Sequence, residues 1–119
     1  MAHEWTQEIR TRFPDWKTSD ALIRWPTDKA RLKIGQQVSG TVIARAPFGV
    51  WLDIGAAHPA LMEATEMARP GQRPVQSIDW PPTGTNLTAT IVALGDKAEI
   101  ALSQFPDGSY WSKHRAKKS

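Results

Sequence analysis

Histidine, cysteine and motif-borne nucleophiles are few in this chain of 119 residues, and they are poorly grouped. His3, His58 and His114 stand far apart, with no helical or hairpin spacing between them, so a shared metal site is not expected. There is no cysteine, which excludes disulfides and thiolate zinc sites and suits a reducing cytoplasm. Ser39, Ser77 and Ser103 sit in no nucleophile motif, and no glycine-rich phosphate loop is present. Asp53 and Glu63 fall on the two arms of a candidate hairpin, where they could pair. Two carboxylates on a strand surface do not by themselves make an acid–base site. The expectation is a protein that is not an enzyme and needs neither metal nor small-molecule cofactor.

Side chains that stack and side chains that carry positive charge are better represented. There are six tryptophans, Trp5, Trp16, Trp25, Trp51, Trp80 and Trp111. Either they cover a small core with apolar surface, or some stand exposed as stacking platforms and partner anchors. Arg45 and Lys97 are single surface cations that could meet phosphate. Lys113, Arg115, Lys117 and Lys118 form the densest cationic cluster, which could bind nucleic acid without sequence preference or simply aid solubility.

The charge is unevenly placed. Residues 1–34 hold seven Lys/Arg against five Asp/Glu, residues 35–103 hold four against six, and residues 104–119 hold four against one. The basic character therefore belongs to the two ends, and the middle is net negative. Phosphate binding favours positive charge on the binding surface, so this distribution bears on any nucleic-acid reading. The residues Met1-Ala2-His3-Glu4-Trp5 do not read as a secretory signal. No apolar run approaches the roughly 20 residues that cross a bilayer, so no membrane partner is expected.

The elements that must position these residues follow from periodicity. Trp5, Ile9 and Phe13 recur every four residues, which predicts a short amphipathic helix ended by Pro14. Asp20-Ala21-Leu22-Ile23 predicts another short turn, stopped at Trp25-Pro26. A helix this short is unstable alone and must dock on the rest of the chain. From Gln37 the period changes to two. Val38, Gly40, Val42 and Ala44 predict one face of a first strand, and Val50, Leu52 and Ile54 predict the inward face of a second. Ala60-Leu61-Met62 starts a third strand after the turn Gly55-Ala56-Ala57. Residues 64–85 contain Pro70, Pro74, Pro81 and Pro82 and read as a long loop, with a helical turn near Glu63–Ala68. Leu87, Ala89, Ile91 and Ala93 predict a fourth strand. The turn Gly95-Asp96-Lys97 leads to a fifth at Glu99–Ser103. Five short strands with a long connection between the third and fourth predict a Greek-key OB barrel, all-β in class. The organisation expected is a helical N-terminal extension at 1–31 packed on the barrel, the barrel itself at 32–104, and a basic tail at 105–119.

The run Leu32-Lys33-Ile34-Gly35-Gln36-Gln37-Val38-Ser39-Gly40-Thr41-Val42 resembles the opening of the S1 motif, an RNA-binding OB-fold repeat. Phe48-Gly49-Val50-Trp51-Leu52-Asp53-Ile54-Gly55 is similar to that family's Phe-Gly-aromatic segment. Ala60-Leu61-Met62-Glu63-Ala64-Thr65-Glu66 stands where the family has a Gly-Leu-Val-His-Ile-Ser-Glu type run, and Ile100-Ala101-Leu102-Ser103 resembles its closing Ile-x-Leu-Ser. The resemblance implies an S1-like barrel whose outer face takes RNA, with Phe48 and Trp51 as the two stacking aromatics. It also marks departures. Glu63 occupies the family's histidine position, Gly95 its aspartate position with Asp96 as neighbour, and Glu99 its basic position. The alternation around Val50 and Leu52 turns Trp51 outward, either as an open platform or beneath the N-terminal helix.

Two functions from different classes are consistent with these residues. One is a weak, sequence-tolerant single-stranded RNA-binding module in the cytoplasm, using Phe48, Trp51, Arg45, Lys97, Lys113, Arg115, Lys117 and Lys118. The other is a protein-interaction module that kept the barrel and lost the RNA face.

Overall fold

The computed structural model describes residues 4–68 and 76–108. Seven elements succeed one another: α1 (Glu4–Arg12), α2 (Ser19–Lys29), β1 (Gln37–Ala46), β2 (Gly49–Asp53), β3 (Ala60–Glu63), β4 (Asn86–Leu94) and β5 (Ile100–Ser103). Single 3₁₀ turns occupy Ala64–Met67, Ser77–Asp79 and Pro106–Gly108. The five strands close into a barrel in the order β1-β2-β3-β5-β4. Every neighbouring pair is antiparallel except β3 with β5, which run parallel with Leu61 opposite Ala101. This is the all-β Greek-key OB barrel that the alternating runs predict.

The barrel interior is filled by Val42, Val50, Leu52, Ala60, Met62, Ala89, Ile91, Ile100 and Leu102, with Met67, Trp25 and Trp80 in the same cluster. Two bulges break the simple alternation. One shifts the β1–β2 register between Val42 and Ala44, and the other shifts β4–β5 between Ile91 and Ala93. A bulge adds one residue to one strand, which reverses the facing of the residues beyond it. Val42 therefore points into the barrel, while Ala44 joins a second cluster outside it with Ile9, Phe13 and Trp16. The expectation that Val38 through Ala44 share one face is corrected by that extra residue. Beyond the second bulge Leu94 packs against the core, and Ala93 pairs with Ala101 on the outer wall.

The bulge in β1 is what receives α1. Ile9 is wholly buried and Phe13 nearly so, both against Ala44, with Trp5, Ile43 and Trp51 packed around them. The period-four stripe thus docks on the outer wall at β1. Burying such side chains contributes about 1.5–3 kcal/mol each, which offsets the weak intrinsic stability of a nine-residue helix.

The second helix corrects the sequence reading. Trp25-Pro26 does not stop it; α2 runs through Pro26 to Lys29. Thr18 caps its start, its hydroxyl accepting from the Ala21 amide at 3.3 Å. Tertiary anchoring overrides the proline. Trp25 is buried and its indole N–H donates to the Gly95 carbonyl at 2.8 Å. Buried Asp28, two residues past Pro26, holds His58 Nδ1 at 2.8 Å, and His58 Nε2 lies 2.9 Å from the Ala21 carbonyl. These contacts tie α2 to the β2–β3 and β4–β5 turns at one end of the barrel.

Candidate nucleic-acid interface

On the outer wall, strand register lines up apolar residues across four strands. Trp51 lies opposite Leu61, Leu61 opposite Ala101, and Ala101 opposite Ala93. These residues floor a groove of about 940 Å³, with Val92 beside them. Trp16, Lys17, Ala21 and Leu22 of the N-terminal segment border it, as do Lys97, Ala98 and Glu99 of the β4–β5 turn. Glu63 and Gly95 also line it. Trp51 and the three departing family positions, Glu63, Gly95 and Glu99, therefore share one groove.

Phe48 and Trp51 both stand on the outside, but neither is alone. Trp5 meets Phe48 edge-on at 5.5 Å between ring centroids, Trp16 meets Trp51 edge-on at 5.5 Å, and Trp5 and Trp16 are 6.2 Å apart. The result is a chain of four rings running from Phe48 through Trp5 and Trp16 to Trp51. Phe48 keeps 43% of its surface exposed. Trp51 is half-buried, so the N-terminal segment covers part of it and leaves part facing the groove. Its indole N–H is buried without an acceptor among the described residues. An unpaired buried donor costs about 1–3 kcal/mol.

Cations gather on the N-terminal side. The Lys17 ammonium lies 4.9 Å from the Trp16 ring centroid and the Arg10 guanidinium 5.7 Å from it. Arg12 is engaged with Asp53 at 2.5 Å. Asp53 also accepts from the Gly55 amide at 2.9 Å, and the register sets Glu63 opposite Gly49. The pairing of Asp53 with Glu63 across the hairpin is thus corrected: they sit at opposite ends of it. The turn between the helices is held by Asp15, which pairs with Arg24. The hydrogen bond from Arg24 keeps the Asp15 carboxyl below the usual carboxylate range.

The other expected cations divide. Lys97 borders the groove. Arg45 does not; its guanidinium donates to the Ser77 carbonyl, and it borders a smaller cleft with Glu4 and Glu8. Lys113, Arg115, Lys117 and Lys118 lie outside the described residues, as do His3, His114 and Trp111. Ser103 is committed to structure: its buried hydroxyl accepts from the Phe105 amide at 3.0 Å and reaches the Glu66 carbonyl at 3.5 Å. Among the described residues no group of His, Asp and Glu could hold a metal ion, and no helix is long and apolar enough to cross a membrane.

Sequence reasoning did not bring Trp5, Trp16, Arg10 and Lys17 to this site. The stripe of α1 showed that it docks, but periodicity carries no signal for which wall it docks on. Trp16 and Lys17 come after Pro14 in a stretch without period.

Two glycines are required by close approach. A Cβ on Gly49 would lie 2.3 Å from the Met62 carbonyl oxygen, and one on Gly95 would lie 2.2 Å from a Glu99 carboxylate oxygen. The bare Gly49 backbone lets β2 and β3 meet beside Phe48. The bare Gly95 backbone lets the Glu99 side chain lie across the turn.

No protein-family model matches the chain, and no curated protein matches it in sequence. Solved structures do. The chain is similar to one in the a/eIF2alpha–aDim2p–rRNA complex from Pyrococcus horikoshii, with 21% identity over 73% of this chain and a TM-score of 0.55. It is similar to the intact alpha subunit of aIF2 from Pyrococcus abyssi, with 22% identity over 73% and a TM-score of 0.54. It is also similar to GSP13 from Bacillus subtilis, with 15% identity over 71% and a TM-score of 0.53. The matches span 52%, 34% and 59% of those longer chains, respectively. At such identities the likeness is one of fold. The fold they share is the closed five-stranded OB-type barrel that the alternating runs predict.

Proposed function

We propose that this protein is a single-stranded RNA-binding module, weak and tolerant of sequence, that holds its ligand without transforming it. The observation that carries the reading is Trp51, an outward tryptophan on β2 that borders an open groove across four strands of an S1-type barrel. Base stacking on such a ring is sequence-tolerant and contributes about 1–3 kcal/mol per base. Lys97 at the groove supplies attraction for phosphate, and exposed Phe48 supplies a second ring face. The Pyrococcus horikoshii neighbour comes from a complex that contains rRNA, which accords with this use of the barrel. Absence of cysteine accords with a cytoplasmic setting.

A second reading rests on Glu63 and Glu99. They place carboxylates beside the apolar floor of Leu61, Ala93 and Ala101, which suits a protein partner with apolar and basic side chains. Titration of a labelled single-stranded RNA, monitored by fluorescence anisotropy at low and moderate salt, separates the two. Binding that weakens with salt, and that Trp51→Ala reduces about 5- to 150-fold, supports the first. No binding at low salt overturns it in favour of the second.

A further inference from the structure

Among the described residues only Lys17 and Ala98 adopt positive φ without being glycine, at 65° and 62°. Left-handed backbone is unfavourable for both side chains, and strained residues of this kind gather at functional sites. These two line the same groove, one in the α1–α2 turn and one in the β4–β5 turn. Ala98 is next to Lys97. Each strained residue thus shapes a turn that holds a lysine at the groove.

Lys17 is held there by more than its own backbone. The Trp16 amide donates to the Phe13 carbonyl at 3.0 Å, the Thr18 amide to the Asp15 carbonyl at 2.9 Å, and Asp15 pairs with Arg24 of α2. The turn is therefore fixed on both flanks, and the ammonium stands over Trp16, whose ring abuts Trp51. Glycine or asparagine would fit this backbone more readily, so fold alone does not call for lysine at position 17.

We infer that Lys17 is a phosphate-binding residue of the RNA face, so that the N-terminal segment restores the positive charge which Glu63 and Glu99 remove from the barrel wall. The inference rests on the RNA-binding reading given above. Single-stranded RNA enters with its backbone on Lys17 and Lys97 and with bases over Trp51 and the apolar floor. Glu63 and Glu99 repel phosphate where they line the groove, which leaves Lys17 and Lys97 as its cationic contacts. Arg10 also stands near the Trp16 ring, outside the groove lining.

The test is salt-dependent binding of the full chain to a labelled oligoadenylate, compared among wild type, Lys17→Gly, Lys17→Met and Arg31→Gln. Arg31 is exposed and lies outside the groove lining. Each single-strand phosphate contact contributes about 0.7 to the slope of log affinity against log salt. Lys17→Gly and Lys17→Met should each lower that slope by about 0.7, and Arg31→Gln should leave it at the wild-type value. Lys17→Gly should also melt at or above the wild-type temperature, because glycine relieves the left-handed strain. That combination separates ligand contact from a structural role. Slopes unchanged in both Lys17 variants, with wild-type binding intact, overturn this inference and leave the RNA reading standing. Wild-type protein that shows no salt-dependent binding overturns the RNA reading, and the inference with it.

Discussion

Gly49 shows how one residue can serve both fold and site. It lies between Phe48 and the wholly buried Val50, opposite Glu63, where β2 and β3 approach too closely for any side chain. Gly49→Ala should destabilise the protein by about 1–3 kcal/mol, the usual cost of forcing atoms into packed structure. Thermal unfolding would read this directly, and a melting temperature equal to wild type would mean that the hairpin shifts freely. The resemblance to the S1 motif rests partly on this Phe-Gly step, which therefore has a steric reason in this chain. Glu63 and Glu99 make the opposite case. Their identities are plain in the sequence, but their effect depends on sharing a groove with Trp51, and they are separated by 36 positions along the chain.

At the scale of elements, the helices are attached by different physics. The first is held by apolar burial through Ile9 and Phe13. The second adds to the burial of Trp25 a set of polar contacts in a dry setting: Asp28 and His58 are both buried, and the histidine spans from the helix to the β2–β3 turn. Removing one member of a buried hydrogen-bonded pair strands the other, at a cost of about 1–3 kcal/mol or more. His58→Ala should therefore lower stability by that order in urea unfolding. The same substitution in an Asp28→Ala background should cost much less, because the stranded carboxylate is gone. Equal costs in the two backgrounds would show that the contact is energetically idle. This anchoring explains why Pro26 fails to end α2. A proline removes one backbone hydrogen bond and crowds the preceding turn, about 3 kcal/mol in a helix interior. Trp25, Asp28 and the capping Thr18 together hold the helix across it.

At the scale of the whole molecule, charge is divided between the middle of the chain and its ends. The barrel segment is net negative, and both ends are net positive. If the chain binds RNA as proposed, Lys113, Arg115, Lys117 and Lys118 would add attraction from the C-terminal end and Lys17 from the N-terminal end. Removing residues 113–119 should flatten the salt dependence of RNA binding, by about 0.7 in slope for each phosphate that the tail neutralises. Trp51→Ala should weaken binding with little change in slope, because stacking releases few counterions. A slope unchanged by tail removal would assign recognition to the groove and its rims.

What the sequence determined by itself is the barrel. Period-two runs, glycine and proline breaks and the spacing of the S1-like segments locate all five strands to within a residue or so, because alternation records directly which side chains face a core. The stripe Trp5, Ile9 and Phe13 likewise announces a helix that must dock. Tertiary structure alone decided the rest. The bulges in β1 and β4 depend on pairing partners that no local pattern reveals, and they put Ala44 outside the barrel and Leu94 against its core. The path of the chain after Pro14 put Trp16 against Trp51 and Lys17 on the groove, since contacts between segments far apart in sequence are fixed by packing and leave no period behind. Such contacts also decided whether Trp51 is open or covered. It is both, with one side against Trp16 and another facing the groove, because α1 docks at β1 and leaves the β3–β5 wall uncovered.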